Sequence, residues 1–433
     1  MTQAPATARV APAARLRGRL RMPADKSIAH RALIVGALSG GPTTVTIHSP
    51  GDDVRSTIAC LRALGVGVDV DVDVEGTDER YVISGRPSRD ATLDCGNSGT
   101  TMRLLAGAIA GLPLRVTLDG DASLRARPME RVAALLRAAG AEVMTTDGHA
   151  PMTVVGRESL AATQHRLPVA SAQLLAATAL AGLSAEGQTV ITAPGPTRNH
   201  TERMLAWTGV PIRREGLVTS LNGPATPRPF ELTVPGDPSS AAAWLVAGAV
   251  HADAEVVLEG VGINPTRLAI VELLRQMGAD IEISATDEAG PELVGTIHVR
   301  GGRRLQSVSV GDGEVSELID ELPLIAVAMA SCEGESEVRG AAELRVKESD
   351  RISAVVAGLA SIGAQVTELP DGWRVAKGEA RDARVETHGD HRIAIAFAIA
   401  AASGVAASVE LDDPACVSVS YPGFWDDLAE VMA

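Results

Sequence analysis

The stretch Arg345-Val-Lys-Glu-Ser-Asp-Arg-Ile352 concentrates charges in an order that could handle an anion. Behind it Val355, Val356, Leu359 and Ile362 recur at helical spacing before Gly363, so a helix is predicted with Lys347 and Arg351 in its opening turn, four apart on one face. Two cations there repel each other and sit at the positive end of the helix dipole. An anion held between them and the free N–H groups removes both penalties. Glu348, three residues before Arg351, is a candidate proton-transfer carboxylate in the same place. The plainer alternative is a solvated, charged helix start.

Other stretches repeat the device. Asp25-Lys-Ser-Ile-Ala-His-Arg31 opens an apolar helix, with Ser27 as a cap, Lys26 and Arg31 as cations, and His30 as a structural residue. Asp94-Cys-Gly-Asn-Ser-Gly-Thr-Thr-Met-Arg103 is a glycine-rich loop entering a helix: Gly96 and Gly99 admit an anion to backbone N–H groups, while Asn97, Ser98 and Thr100 add donors. It is neither a Walker loop nor a dinucleotide fingerprint. Gly120 to Glu130 places Arg127 before Pro128, expected at the first helical position, which keeps Arg127 out of helical geometry. Pro194 to Thr201 repeats that arrangement with Arg198. Ser171 and Gln173 begin another apolar helix, where they either meet a ligand hydroxyl or cap. In Glu314 to Pro323, Asp320 follows Leu318 and Ile319 and is expected in a partly desolvated place suited to a base, with Glu317 and Glu321 on the surface. His388-Gly-Asp-His-Arg392 puts Arg392 in the first turn of a buried helix.

The elements that must position these groups form a sixfold pattern. A helix with a leucine-rich body, a glycine stop and a following strand recurs at 56–68, 131–143, 201–212, 269–283 and 353–366, with a truncated copy at 426–432. A second, alanine-rich helix, apolar nearly all round and hence buried, starts near Ser27, Thr100, Ser171, Ser239, Glu317 and His391. The chain therefore reads as six β-α-β-α-β-β units, helices inside and sheets outside, rather than an open solenoid. Three units per domain divide it within Leu232 to Gly236: residues 24–234 form one domain, and residues 1–23 plus 235–433 the other. A ligand cleft between such halves is expected.

Composition narrows the ligands. The net charge is −15 and argues against nucleic acid and anionic membranes, so a small anion needs a locally cationic pocket. Only three of the 39 basic residues are lysines, and two of those, Lys26 and Lys347, fall in the stretches above; a retained lysine points to a compact point charge. Four cysteines, at 60, 95, 332 and 416, lack metal or disulfide spacing, which fits a reducing cytoplasm. The first 21 residues carry five arginines and no acid and are expected to be a short disordered lead into a Leu16–Met22 strand. Aromatics are 2 %, so Ala, Val, Leu and Ile must build the core.

The motifs DKSIAHR, GNSGTTMR, LRARPMERV, ASAQ, IDELP, RVKESDR and GDHRIA, in this order over essentially the whole chain, resemble the 5-enolpyruvylshikimate-3-phosphate synthases. The resemblance implies an α/β fold, the two-domain inverted barrel with its site in the cleft. It implies transfer of the enolpyruvyl group of phosphoenolpyruvate to the 5-hydroxyl of shikimate 3-phosphate, with no metal or organic cofactor; a cytoplasmic monomer is expected. By motif, Lys26, Ser27, Arg31, Ser171, Ala172, Gln173, Arg198, Asp320 and Lys347 correspond to shikimate 3-phosphate contacts. Lys26, Asn97, Gly99, Arg127, Gln173, Arg351 and Arg392 correspond to the phosphoenolpyruvate site. Asp320 would take the hydroxyl proton, and Glu348 or Lys26 would protonate the methylene.

Ala172 in place of a serine, Glu343 in place of an asparagine, Leu104 in place of a proline, and Val419-Ser-Tyr-Pro without a lysine resemble the second, divergent class. Gly99 leaves room for the inhibitor glyphosate, which is expected to bind. Two rivals stand beside this reading. One is the enolpyruvyl transferase acting on UDP-N-acetylglucosamine, which usually carries a cysteine where Ala122 stands. The other is a non-catalytic scaffold that binds an anion.

Overall fold

The computed structural model describes residues 7–73 and 77–433, which fall into two compact units. One comprises residues 24–235 and 288–292; the other comprises 1–23, 236–287 and 293–433. Each is built from three repeats.

In the unit of residues 24–235, one sheet runs Ala91–Asp94, Arg115–Asp119, His149–Val155, Glu142–Thr146. The first pair is parallel, in register at Leu93↔Leu118, and the rest antiparallel. A parallel pair needs a crossover, and here the helix Gly99–Ala110 provides it. A second sheet of the same kind runs through Ala185–Thr192. The third takes its first strand from far downstream: Glu231–Thr233 pairs parallel with Thr43–His48, Leu232 opposite Val45. Thr43–His48 alternates buried and half-buried residues, as a strand with one covered face must.

The other unit repeats the permutation. Leu16–Arg21 pairs parallel with Ala254–Gly262, followed by the hairpin Asp280–Ala289 and Glu292–Arg300, whose turn residues 288–292 count with the unit of residues 24–235. A second sheet is ordered Ser309–Val310, Glu335–Val338, Gly372–Ala376, Gln365–Leu369. The last repeat lacks a hairpin. Ala8–Val10 pairs antiparallel with Ser408–Leu411 in its place, so three residues of the expected disordered lead form a strand; residues 1–6 lie outside the described residues.

The alanine-rich helices are the cores. In Pro238–Val250 every residue up to Ala249 is buried, including Trp244. His391–Ala402 is buried apart from Arg392. Small side chains let such helices approach closely: a Cβ on Gly107 would lie 2.2 Å from the Ala177 carbonyl oxygen of the helix Ala172–Gly182. Five of the six buried helices begin within one residue of the predicted place. The exception is the expected start near Glu317, where a short helix Asp312–Leu318 ends, a turn carries Ile319–Glu321, and the buried helix opens at Leu322 ahead of Pro323. Among the described residues no helix is long and apolar enough to cross a membrane.

Candidate active site

Ten of the expected site residues lie within the unit of residues 24–235, and several of them are tied to one another or to shared neighbours by hydrogen bonds. Lys26 is the first residue of the helix Lys26–Leu38, whose cap is Asp25, accepting from Ile28 N at 3.0 Å; Ser27, expected to cap, sits half-buried inside the first turn. The Lys26 ammonium is 2.9 Å from Asp53 Oδ2, on the neighbouring helix Asp52–Ala63. Arg31 is buried and ties three helix starts together: Nη1 donates to Ser27 O, Nη2 to Ala172 O, and Nε to Thr201 Oγ1 at 2.7 Å. Burial pushes its guanidinium down to about 10; Arg198 adds to this, while Glu202, Asp25 and Glu292 oppose it. His30 is structural, as expected. Its Nδ1 meets Thr57 Oγ1, and burial with Lys26 and Arg31 nearby keeps it neutral.

The glycine-rich loop turns at Gly96, with φ +56°. Ser98 caps the helix Gly99–Ala110 by accepting from Thr101 N. Asn97 accepts from Arg127, which also donates to Ser123 Oγ at 3.2 Å. Arg127 has extended backbone, as Pro128 requires, but follows a short helix Ala122–Ala126; the next helix opens at Glu130, two residues later than Pro128 predicted. Ser171 caps the helix Ala172–Gly182, and Gln173 reaches sideways: Nε2 donates to Thr100 Oγ1 at 2.9 Å and Oε1 accepts from Arg103 Nη1 at 2.7 Å. A Cβ on Gly99 would stand 2.8 Å from Arg103 Nη1 and 3.4 Å from Arg127 Nη1. The network thus brackets one glycine between two guanidinium groups, a place shaped for a small anion.

In the other unit the anchor is Arg351. The predicted helix starts here, capped by Asp350, rather than at Lys347. Lys347 lies outside it in extended backbone after the 3-10 turn Ala342–Val346, so the two cations do not share a helical turn. They converge on Asp320 instead. Its Oδ1 is 3.7 Å from Lys347 Nζ and 3.8 Å from Arg351 Nη1, with the carboxylate half-buried. Arg351 also donates to Glu348, and through Nε to Asp390 Oδ2 at 2.8 Å. Burial works against its charge, but Asp390, Glu348 and Asp320 outweigh burial and hold its pKa above the ordinary value.

Asp390 caps His391–Ala402, accepting from Arg392 N at 2.9 Å and Ser349 Oγ at 3.0 Å. Arg392 and Asp320 line one small cavity with Asp237 and Ser239. Beside it, Glu321 is buried, against the expectation of a surface residue: it accepts from Ser239 Oγ, close to the buried Arg267. A hydrophobic neighbour on either side does not tell which of Asp320 and Glu321 turns inward. Glu317 is half-buried.

A model of the family EPSP synthase (3-phosphoshikimate 1-carboxyvinyltransferase) matches residues 10–428. The chain belongs to this family. Among EPSP synthase relatives, the 3-phosphoshikimate 1-carboxyvinyltransferase of Acidithiobacillus ferrooxidans is 46 % identical over 96 % of this chain and 95 % of its own. That of Gloeobacter violaceus is 44 % identical over 98 % of both. The solved EPSP synthase of Acinetobacter baumannii superimposes with a TM-score of 0.83 at 37 % identity, covering 98 % of each chain. The enolpyruvyl transferase NikO of Streptomyces tendae, 18 % identical with a TM-score of 0.76, shares the fold. The chain is therefore a transferase with the inverted α/β barrel fold of EPSP synthases. Among the described residues no cluster of three or more His, Cys, Asp or Glu side chains is placed to hold a metal ion.

Three residues given no role in the motifs above take part as well: Asp53 and Arg103 in the unit of residues 24–235, and Asp390 in the other. Arg103 had a signal, standing four residues after Gly99 and so on its helix face. Asp390 also had one, as an aspartate directly before a predicted helix. Asp53 had none beyond a pair of acids at a helix start.

Proposed function

We propose that this chain transfers the enolpyruvyl group of phosphoenolpyruvate to the 5-hydroxyl of shikimate 3-phosphate through the residues described above. The observation that carries the assignment is Asp320, a half-buried carboxylate within 4 Å of two cations in the unit where Glu348 meets Arg351. Asp320 takes the proton of the 5-hydroxyl as its oxygen bonds to C2 of phosphoenolpyruvate. Glu348 or Lys26 gives a proton to the methylene carbon, which makes C2 electrophilic at that moment. The product of this addition is a tetrahedral adduct. Its C–O bond to phosphate then breaks, a methyl proton returns to the donor, and the enol ether forms with release of inorganic phosphate.

Arg127, Arg351, Arg392 and Lys26, with Asn97, Gly99 and Gln173, hold phosphoenolpyruvate and stabilise the departing phosphate. Ser27, Arg31, Ser171, Ala172, Gln173, Arg198, Asp320 and Lys347 hold shikimate 3-phosphate. The two three-repeat domains, 24–234 and 1–23 with 235–433, act as a cytoplasmic monomer on small anions and need neither nucleic acid nor membrane. No step calls on a metal or an organic cofactor, and glyphosate competes at Gly99. Asp320→Ala tests the assignment: substrate binding persists while turnover falls by about 10²–10⁴, the usual size of a general base contribution. Turnover at the wild-type rate refutes it.

A further inference from the structure

We infer that Glu292 is a positioning residue for the phosphate end of shikimate 3-phosphate. It opens the strand Glu292–Arg300, yet with residues 288–291 it belongs to the compact unit of residues 24–235. There its Oε1 lies 2.7 Å from Nδ1 of His200, and both side chains are 1 % exposed. A carboxylate in such a place requires the ring to donate Nδ1–H, which fixes the tautomer and the ring plane. Arg203, one turn along the same helix, donates to Pro291 O at 3.3 Å, so two residues of the helix His200–Trp207 are tied to the Pro291–Glu292 backbone and side chain.

What this clamp fixes is the start of that helix. Thr201, next to His200, accepts from Arg31 Nε, and Arg198 lies two residues upstream. Arg31 feels Arg198 as a repelling charge and Glu202 and Glu292 as attracting ones. Two cations held close together without a ligand need anions behind them. Glu202 is one, itself engaged by Arg214 at 3.0 Å and by Thr219. Glu292 is the other, and it acts through His200 on the loop that carries Arg198. The inference rests on the reading that Arg31 and Arg198 meet the substrate phosphate. It adds a residue from a distant part of the chain to that pocket.

The test is steady-state kinetics of the full chain carrying Glu292→Gln, which keeps an acceptor for His200 and removes the charge. The KM for shikimate 3-phosphate should rise about tenfold or more, since a slightly misplaced phosphate clamp costs on that order. The KM for phosphoenolpyruvate and kcat should change by less than about threefold, as expected when only substrate binding is lost. Inhibition by shikimate, which lacks the phosphate, should be unchanged.

A shift shared equally by both substrates, or a loss of thermal stability alone, overturns the positioning role. Arg198→Gln measured alongside separates the two layers. If it leaves the KM for shikimate 3-phosphate unchanged, the underlying phosphate assignment is wrong. If it raises that KM while Glu292→Gln does not, only the role of Glu292 fails. Should Glu292→Gln not fold, His200→Gln carries the same expectations and the same refutations.

Discussion

Arg351 and Asp390 stand 39 positions apart in the chain and 2.8 Å apart in space, Nε to Oδ2, with both side chains sealed from solvent. A buried ion pair of this kind is not cheap, because both charges give up water. Its geometry explains its retention. Asp390 caps one helix and accepts from Ser349 Oγ, while Arg351 opens another and reaches Glu348 and Asp320. The pair sets the orientation of the two carboxylates proposed to move protons.

Removing one charge leaves the other buried alone. Asp390→Asn is expected to cost about 3–5 kcal/mol, the range for breaking a buried pair. Burial raises the pKa of Asp390, but Arg351, helped by His391, outweighs burial and holds it below the ordinary aspartate value, with Glu348 opposing. The stabilisation is therefore complete above about pH 4, the unfolded-state value, and is lost as pH falls through the lower folded value. Urea unfolding across acid pH should show a shallower loss of stability in Asp390→Asn than in the wild type. Equal slopes would remove the pair from the account.

Gly99→Ala introduces a Cβ 2.8 Å from Arg103 Nη1, and Arg103 is pinned by Gln173 and by Pro128 O. The KM for phosphoenolpyruvate should rise about tenfold or more, the effect of one methyl group in a tight pocket. The inhibition constant of glyphosate should rise with it, and an unchanged constant would place the inhibitor elsewhere.

Lys26 is held at 2.9 Å by Asp53. Lys26→Met should lower kcat by about 10²–10⁴ if its proton is the one transferred to the methylene. If Glu348 supplies that proton instead, Lys26→Met raises KM and leaves most of kcat. Rapid-quench measurement of the adduct separates the two.

Gly358 lets the helix of Arg351 lie against Phe397: a Cβ there would come within 2.1 Å of the ring. Gly358→Ala should destabilise by about 1–3 kcal/mol through overpacking. Thermal melting would show it, and a melting temperature equal to that of the wild type would mean the two helices slide apart freely.

Much of this was legible in the chain. Helices such as Pro238–Val250, apolar on every face, announce that they are buried, and glycine stops mark where their partners end. The motif residues Asn97, Gly99, Arg127 and Gln173 meet because each begins or precedes a helix. What could not be read is pairing across long separations. Nothing near Glu292 reveals that it meets His200, and nothing around Asp320 says that its neighbour Glu321 is the more buried acid. Lys347 falls outside the helix for a local reason: Asp350, a strong cap three residues further on, starts the helix at Arg351.

The most direct test follows inorganic phosphate released from phosphoenolpyruvate by the full chain, with and without shikimate 3-phosphate. One phosphate per enolpyruvyl ether formed is expected, only when both substrates are present, with near-complete loss in Asp320→Ala and binding retained. Phosphate release that ignores shikimate 3-phosphate, or that survives Asp320→Ala, would contradict it.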